Sequence, residues 1–311
     1  MEPFTKQKVY RSSSGSGFRS PDAYTVGQSA LTGKYRTIAV KTSYWKPGHD
    51  YLTSISMAVA SKLLDRDVVV LSEKALSVAE GRIVDETKIA PGETARILAG
   101  FWMRHVWGYL LAPLCHLSRI ATLRLRSYPV KEGAAHKQLS LAYAGFLQAL
   151  RHGSEGGIDV TNVPYSYAAL PLRQPQRVAE RIVRVLREAS SRDVAVMIVD
   201  SDKTYTWRTI HVSPRKTTVE GILPLGLLAY MLGRAFRLRA RSTPIALAGR
   251  PFAAEEALRI AALANRARGS GAGRTAWDMA ERLGVGLTEV TWESLNNIPH
   301  KPIVIVRKGL K

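Results

Sequence analysis

The 311-residue sequence contains little cysteine and no uninterrupted apolar run long enough to cross a membrane. Its single cysteine, Cys115, excludes an internal disulfide framework. The longest apolar stretch, residues 97–117, is interrupted by Arg104, His105 and Pro113, which favours a buried or partner-covered helix over a membrane span. The N-terminal residues also lack the charged-then-apolar pattern of a secretion signal. We therefore expect a globular, cytoplasmic protein.

Several motifs of catalytic and metal sites are missing as well. The seven histidines are scattered, and neither His136 nor His152 has a second soft ligand at zinc spacing. There is no nucleophile elbow of a serine hydrolase and no P-loop. The segment "GSGAGR" at 269–274 lacks the preceding strand and the Lys-Ser/Thr ending of a P-loop, so we predict a linker there.

Acidic residues are scarce relative to basic ones. The chain has 45 Lys and Arg residues against 25 Asp and Glu residues, which gives a net charge of +20. Such a charge attracts nucleic acid or small polyanions, and charge alone does not choose between them. Nine arginines and two glutamates lie in residues 231–274. A further basic face at helical spacing, which is often merely solvated, contains Arg173, Arg177, Arg181 and Arg184.

Strand-like and helix-like segments alternate without a regular repeat, which predicts an α+β (mixed α/β) domain. The predicted strands are "KYRTIAVKT", "DVVVLSEK", "VAVMIVDSD", "PIALAG" and "PIVIVRKG". The predicted helices are "YLTSISMAVASKLL", 92–117, 134–151, "QRVAERIVRVLREASS" after Pro175, 253–267 and 275–283. Residues 1–34, with "RSSSGSGFRS", lack apolar periodicity and are predicted to form a flexible basic extension before a domain over 35–311.

Acidic residues at the ends of two segments, a loop and a strand, are candidate metal ligands. Asp159 lies in the glycine-rich loop "EGGIDVTNV", and Asp200 and Asp202 follow the strand "VAVMIV". Carboxylates from separate segments suit a magnesium-type ion, which commonly holds nucleotide phosphates. The alternative is that these aspartates cap turns or helix starts.

Three cations accompany these aspartates: Lys74, Arg82 and Arg208. Cations close to carboxylates are expected where a metal–phosphate complex binds, because each neutralises part of the other's charge. The alternative is a set of surface salt bridges, which are common and contribute little. No residue is identified as catalytic at this level.

Three segments carry a resemblance to a known family: "VVVLSEKALSVAEGR" at 68–82, "GIDVTNV" at 157–163 and "VMIVDSDKTYTWR" at 196–208. In order and approximate spacing they are similar to the signature segments of the coenzyme F420 gamma-glutamyl ligase family. The segment "KTSYWKPG" at 41–48 adds a fourth. The resemblance covers residues 35–210 and leaves 211–311 divergent, apart from the closing "IPHKPIVIVRKG".

The resemblance implies the mixed α/β fold of that family, an intertwined homodimer and a cytoplasmic location. The implied activity is a GTP-dependent amide ligase in coenzyme F420 biosynthesis. It joins L-glutamate to a phospholactyl deazaflavin through an acyl phosphate. The implied cofactors are Mg²⁺ or Mn²⁺, with K⁺ as a further ion.

Matched residue by residue, the resemblance also implies a metal and phosphate site. Asp159 takes the place of the family's metal-binding aspartate in the second segment, with Asp200 and Asp202 as further metal ligands. Glu80, Gly81 and Trp207 match the motifs as well. The implied nucleotide and phosphate ligands, the glycines through their backbone amides, are Lys74, Arg82, Gly156, Gly157, Asn162 and Arg208.

Two positions depart from the family's pattern. Ser201 falls where the third segment of the family has its metal aspartate, and Asp200 and Asp202 flank it. Glu155 falls where the family has an asparagine, which adds a carboxylate. Two alternatives stay open because of these departures and the charge. One is a nucleic-acid-associated protein on a ligase-like scaffold, and the other is a ligase for a different acid.

Overall fold

The structure is a computed structural model that describes the backbone of residues 26–32 and all of residues 34–309. The strands within these residues are β1 (Val26–Thr32), β2 (Tyr35–Thr42), β3 (Val68–Ser72), β4 (Ile83–Asp85), β5 (Tyr167–Ala169), β6 (Ala195–Trp207), β7 (Ile210–Ser213), β8 (Ile222–Pro224), β9 (Arg239–Ala248) and β10 (His300–Lys308).

The helices within the same residues are α1 (Tyr51–Val59), α2 (Glu73–Ala79), α3 (Glu93–Ile97), α4 (Ala112–Leu114), α5 (Arg119–Arg126), α6 (Val130–Tyr143), α7 (Phe146–Ala149), α8 (Pro175–Ser190), α9 (Leu227–Ala235), α10 (Ala254–Arg268), α11 (Ala276–Leu283) and α12 (Trp292–Asn296). Short 3₁₀ turns occur at Ala60–Lys62, Glu86–Lys88, Glu155–Gly157 and Leu287–Glu289, and a π-helical segment at Leu98–Leu111.

The central sheet has the strand order β1-β2-β10-β3-β6-β7-β8, and β9 also pairs with β6. β3 and β6 run parallel, as do β7 and β8, while the other pairs of this sheet are antiparallel. β4 and β5 form a separate two-stranded sheet. Four of the predicted strands, β2, β3, β6 and β10, are confirmed, and "PIALAG" is the second half of the longer β9.

The sheet is buried on both faces because its central strands are apolar at successive positions. In β3, Val69 and Leu71 pack on the face covered by α1 and α8. Val68 and Val70 pack on the opposite face, against α10. Strands buried on both sides read as continuous apolar runs, which is the pattern of "DVVVLS". The predicted mixed α/β architecture is confirmed as helices on both faces of one sheet.

The predicted helix boundaries need two corrections. The helix expected at 92–117 is one helical stretch, but its middle, Leu98–Leu111, is π-helical, and the Ala112 N–H donates to the Trp107 carbonyl five residues back. The helix expected at 134–151 begins earlier, at Val130, and is broken at Gly145, which has φ 85°. A glycine in this conformation ends α6 because other residues rarely adopt positive φ.

The predicted flexible extension over 1–34 is also too long. Val26–Thr32 forms β1, the edge strand that pairs with β2, so ordered structure begins before residue 35. A short edge strand can form without apolar periodicity because main-chain hydrogen bonds to its neighbour define it. Residues 1–25 of the predicted extension lie outside the described residues. Among the described residues, no helix combines the length and the apolar character that a membrane crossing requires.

Candidate active site

A cleft of about 780 Å³ opens where the parallel strands β3 and β6 reach the edge of the apolar core. Ser72, the last residue of β3, lines the cleft together with Val199 of β6, with which it pairs in register. In sheets with parallel strands, ligands commonly bind beyond the carboxyl ends of those strands. The charged residues that line the cleft are Lys74, Asp159, Asp200, Lys203, Arg241, Arg266, Arg268, Arg274 and Lys301.

Asp159 and Lys74 form an ion pair in the cleft. Asp159 is fixed by a two-bond antiparallel bridge with Ala169, and its Oδ2 forms an ion pair with the Lys74 ammonium. Its Oδ1 accepts hydrogen bonds from the Thr161 N–H at 2.7 Å and the Thr161 hydroxyl at 2.8 Å. Burial would raise the pKa of Asp159, but Lys74 and the Thr161 donors lower it below its usual value.

Asn162 joins this pair to the C-terminal half of the chain. It has φ 57°, a left-handed conformation that asparagine tolerates better than most residues. Its Oδ1 accepts the Ala272 N–H at 2.7 Å, and its carbonyl accepts the Tyr44 hydroxyl at 2.6 Å. A Cβ on Gly271 would lie 2.5 Å from Asn162 Oδ1, so the glycine permits this close approach. The linker predicted at 269–274 is therefore a docked wall of the cleft.

The third signature segment reaches the cleft through an irregular part of β6. The register between β6 and β9 shifts between Asp200 and Lys203, so Ser201 and Asp202 have no ladder partner on β9. Such bulges redirect side chains and are frequent beside active sites. Asp200, Ser201 and Lys203 line the cleft. Asp202 is not among the lining residues and instead contacts Arg151, with 3.2 Å between Oδ2 and Nη1.

Four of the predicted ligands are thus brought together in one cleft: Lys74, Asp159, Asn162 and Asp200. The other five lie outside its lining. Arg82 donates from Nε to the Pro171 carbonyl at 2.6 Å, and Arg208 lies in the exposed turn after β6, against the ring of Trp207. Gly156 packs against Ala144.

Gly157 has a different neighbour from the phosphate that its sequence context predicts. A Cβ at this position would lie 1.9 Å from Arg215 Nη1, so Gly157 makes room for that guanidinium. Arg215 in turn contacts Asp200 through Nη1 and Glu73 through Nη2, the latter at 2.7 Å. Arg215 and Glu73 are not predictable from sequence as a pair, because no local pattern indicates a contact between residues 142 positions apart.

The cleft also has a basic wall, formed by Arg241, Arg266, Arg268, Arg274 and Lys301. None of these residues was predicted individually, although the four arginines lie in the arginine-rich stretch 231–274. Seven cations and two carboxylates line the cleft, which leaves five positive charges in excess. Burial lowers the pKa of Lys203, with Asp200 opposing the shift. Burial likewise lowers the pKa of Arg268. Desolvated cations of this kind favour an anionic ligand that restores their electrostatic partner.

The donors do not fit the metal centre expected at Asp159, Asp200 and Asp202. Each of these carboxylates is paired with a protein cation: Lys74, Arg215 and Arg151 respectively. Across the described residues, no three Asp, Glu, His or Cys side chains converge so that they could hold a metal ion. Hard divalent ions need free carboxylate or carbonyl oxygens, and here both oxygens of Asp159 and one oxygen each of Asp200 and Asp202 already accept N–H donors.

The comparison with known proteins identifies the family of the chain. The F420-0:Gamma-glutamyl ligase family model matches residues 39–225, more than half of the chain. The chain therefore belongs to this family of ligases, and the resemblance drawn from its signature segments is confirmed. Arg241, Arg266, Arg268, Arg274 and Lys301 of the basic wall lie beyond the matched range.

Two relatives show how the similarity is distributed. An uncharacterized protein of Methanocaldococcus jannaschii is 33% identical over 286 residues, which is 88% of this chain and 96% of that protein. The coenzyme F420:L-glutamate ligase of Methanothermobacter thermautotrophicus is 28% identical over 142 residues, which is 45% of this chain and 49% of that protein. The similarity to the named ligase thus covers about half of each chain.

Proposed function

We propose that this protein is an amide ligase that activates a carboxylate with GTP and transfers it to the amine of an amino acid. Membership of the gamma-glutamyl ligase family supports a ligase role in coenzyme F420 biosynthesis. The observation that carries the proposal is a cleft in which Lys74, Asp159 and Asn162 of the signature segments face an excess of cations. Such a cleft suits a triphosphate together with an acidic substrate.

The proposed reaction has two steps. A carboxylate oxygen of the acid attacks the γ-phosphorus of GTP, and GDP leaves with the electrons of the broken P–O bond. The amine of the amino acid then attacks the acyl carbon of the resulting acyl phosphate. Phosphate leaves, the nitrogen loses its proton, and an amide remains. Both steps need charge neutralisation on phosphoryl oxygens and exclusion of water from the acyl carbon.

Lys74 and the other cations of the cleft are proposed to have different roles. Its ammonium is bonded to Asp159 and to Thr161, with 2.7 Å from Nζ to the Thr161 hydroxyl oxygen. Its position is therefore defined before a substrate enters, which lowers the reorganisation required when a phosphate binds. Lys203 and Arg268 lie on the same cleft and would neutralise the remaining charge of the nucleotide. Divalent Mg²⁺ or Mn²⁺ belongs to this proposal as part of the nucleotide substrate, and K⁺ as a further ion.

L-Glutamate and a phospholactyl deazaflavin are the proposed substrates. A ligase for a different acid is the second candidate, and one observation favours it. The basic wall that would contact the acid lies beyond residue 225, where the family model ends. Residues outside the shared region can change substrate choice while the shared ones keep the chemistry.

A homodimer in the cytoplasm is also part of the proposal. Large apolar side chains are exposed around the π-helical segment and α9, and Leu110, Leu228 and Phe236 are 67%, 62% and 70% exposed. Exposed apolar patches of this kind commonly mark protein–protein interfaces. Analytical ultracentrifugation of wild type and Phe236→Ser tests the dimer, which is expected to be weakened by the substitution.

The central experiment is a ligation assay with mass detection. The protein is incubated with GTP, Mg²⁺ or Mn²⁺, L-glutamate and the deazaflavin precursor, and separately with other amino acids and acids. A product heavier by one glutamyl unit, with stoichiometric GDP, is expected. Steeply salt-dependent RNA binding without GTP turnover would instead support the nucleic-acid alternative.

A further inference from the structure

The most unusual feature near the cleft is a guanidinium seated between two carboxylates. Arg215 donates from Nη2 to Glu73 Oε1 at 2.7 Å, and its Nη1 contacts Asp200 Oδ2. Glu73 is the first residue of α2, directly after β3, and Asp200 lies on β6. The cation therefore bridges the two strands where the parallel pair opens into the cleft. Its side chain is only 7% exposed.

The backbone around Arg215 leaves space for its guanidinium. Gly157, with φ 97°, leaves the space that Nη1 fills, because a Cβ there would be 1.9 Å away. The Arg215 backbone N–H donates to the Ser213 hydroxyl at 3.0 Å, which fixes the turn after β7. Burial lowers the pKa of Arg215, but Glu73 and Asp200 outweigh burial and raise it above its usual value. The guanidinium is thus a permanent cation in a fixed position.

A divalent ion would need the same oxygens. An ion placed between the two carboxylates would need Glu73 Oε1 and Asp200 Oδ2, and these two oxygens accept the N–H groups of Arg215. A metal ion and a guanidinium at this place also repel each other, because the site is small and largely shielded from water. We propose that Arg215 is a built-in cation that takes the place of a divalent ion between Glu73 and Asp200, so that this pair binds no metal.

Both carboxylates of the third signature segment are paired with buried arginines. Asp200 and Asp202 flank Ser201, which falls where the resemblance places an aspartate. Arg215 pairs with Asp200, and Arg151 pairs with Asp202. Arg215 acts as a positioning residue, since it orients Asp200 and is not itself among the residues lining the cleft. If the proposed function holds, a divalent ion would enter the cleft only with the nucleotide; the absence of a metal between Glu73 and Asp200 does not depend on that function.

Mn²⁺ titration of the nucleotide-free protein tests the proposal without any turnover. The loss of the free-ion electron paramagnetic resonance signal counts bound Mn²⁺, and thermal melting checks the fold. We expect Arg215→Ala to bind one Mn²⁺ ion that the wild type does not bind. The added substitution Asp200→Asn should remove that site. Arg215→Lys, which keeps a cation, should gain none. Arg187→Ala, which breaks the exposed pair with Asp193, is the matched control and should also gain none.

Two results would overturn the proposal. One is a folded Arg215→Ala protein that binds no more Mn²⁺ than wild type. The other is a Mn²⁺ ion bound by the nucleotide-free wild type that Asp200→Asn removes. The second test needs no Arg215 variant, so it decides the question even if Arg215→Ala does not fold. Absence of ligase activity would contradict the proposed function and would leave the Mn²⁺ count unaffected.

Discussion

The two walls of the cleft differ in whether their charged side chains have partners within the protein. On the wall built from the signature segments, Asp159 is paired with Lys74, and Asp200 is paired with Arg215. On the C-terminal wall, the side chains of Arg266, Arg274 and Lys301 make no hydrogen bond or salt bridge within the described residues. The two carboxylates of the first wall thus have cation partners, whereas these three of the five cations on the second wall have none in the part of the chain that the structure describes; the other two, Arg241 and Arg268, contact Glu255 and Asn265.

Because of this difference, we expect the first wall to position the reacting groups and the second wall to bind the ligand. A paired charge is held in place by its partner, so changing one member disturbs the position of the other and leaves it desolvated. A cation without a protein partner contributes little to folding and gains its counter-ion only from the ligand. Substitutions on the first wall should therefore affect catalysis or stability, whereas substitutions on the second should affect binding alone.

Asp159 is expected to give the largest effect. Asp159→Asn keeps the size of the side chain but removes the partner of the Lys74 ammonium, so Lys74 loses its defined position. We expect turnover to fall by at least about 10²-fold, with a decrease of only a few degrees in melting temperature because both side chains are partly exposed. Asp193→Asn, at the exposed pair with Arg187, is the control and should change neither. Wild-type turnover in Asp159→Asn would contradict the role of this wall.

Gly157 tests the seat of Arg215 through stability. Gly157→Ala introduces a Cβ 1.9 Å from Nη1 at a backbone with φ 97°. We expect a loss of about 2–4 kcal/mol in the free energy of unfolding, measured by urea denaturation. Gly145→Ala is the matched control, because it has φ 85° and open space around the new Cβ. It should lose only about 1 kcal/mol. Equal losses would mean that backbone strain, not the contact with Arg215, explains the effect.

The C-terminal wall is tested by removing two of its cations. The double substitution Arg266→Gln and Arg274→Gln should raise KM for the anionic substrate about tenfold, because two ligand contacts of modest strength are lost. The value of kcat and the melting temperature should stay unchanged. The control Arg177→Gln with Arg184→Gln removes the same charge from the exposed face of α8. A similar KM change in the control would show that the overall charge acts, and not the wall.

The smallest expected effect concerns a buried ion cluster elsewhere in the protein, formed by His136, Glu155 and Glu86. Burial lowers the pKa of His136, but Glu155 and Glu86 outweigh burial and raise it from 6.5 to about 10. Because the folded pKa exceeds the unfolded one, the protonated ring stabilises the fold fully below pH 6.5. That stabilisation is lost as the pH rises towards 10. Between about pH 7 and pH 9, the free energy of unfolding of wild type should fall with rising pH. In His136→Gln this fall should be smaller by about 1 kcal/mol per pH unit.

His300 is the control for this measurement. Burial lowers the pKa of His300 to about 4, so its ring titrates below neutral pH and stabilises the fold only when uncharged. His300→Gln should therefore leave the slope of stability between about pH 7 and pH 9 unchanged. An identical slope in wild type and His136→Gln, from urea unfolding at each pH, would show that His136 is not charged in the folded protein.

The sequence predicted the parts of the fold that depend on local patterns. The β-branched run at Val68–Ser72 and the apolar residues at helical spacing in α8 are local signals, and the elements form where those signals lie. β1 was missed because an edge strand is defined by pairing with β2 and carries little apolar pattern of its own. The π-helical middle of the long helix was missed because its hydrogen-bond spacing has no simple sequence signature.

The candidate site was predictable only in part for the same reason. Lys74, Asp159, Asn162 and Asp200 were found through their motifs, which are short and contiguous. The partners that decide what these residues can do are distant in sequence, as Arg215 is from Glu73. The contact of the segment 269–274 with Asn162 is likewise not predictable from local pattern, because it spans 110 positions. Whether a carboxylate is free or paired depends on tertiary packing, which motif spacing does not encode.

The position of β10 has a consequence for how the chain folds during synthesis. β10 is the last strand along the chain, yet it lies in the sheet between β2 and β3, two strands from the N-terminal quarter. Until β10 leaves the ribosome, one edge each of β2 and β3 has unpaired N–H and C=O groups next to an apolar surface. The nascent chain should therefore depend on chaperones that cover strand edges, and folding should be slow because β10 must close loops of more than two hundred residues.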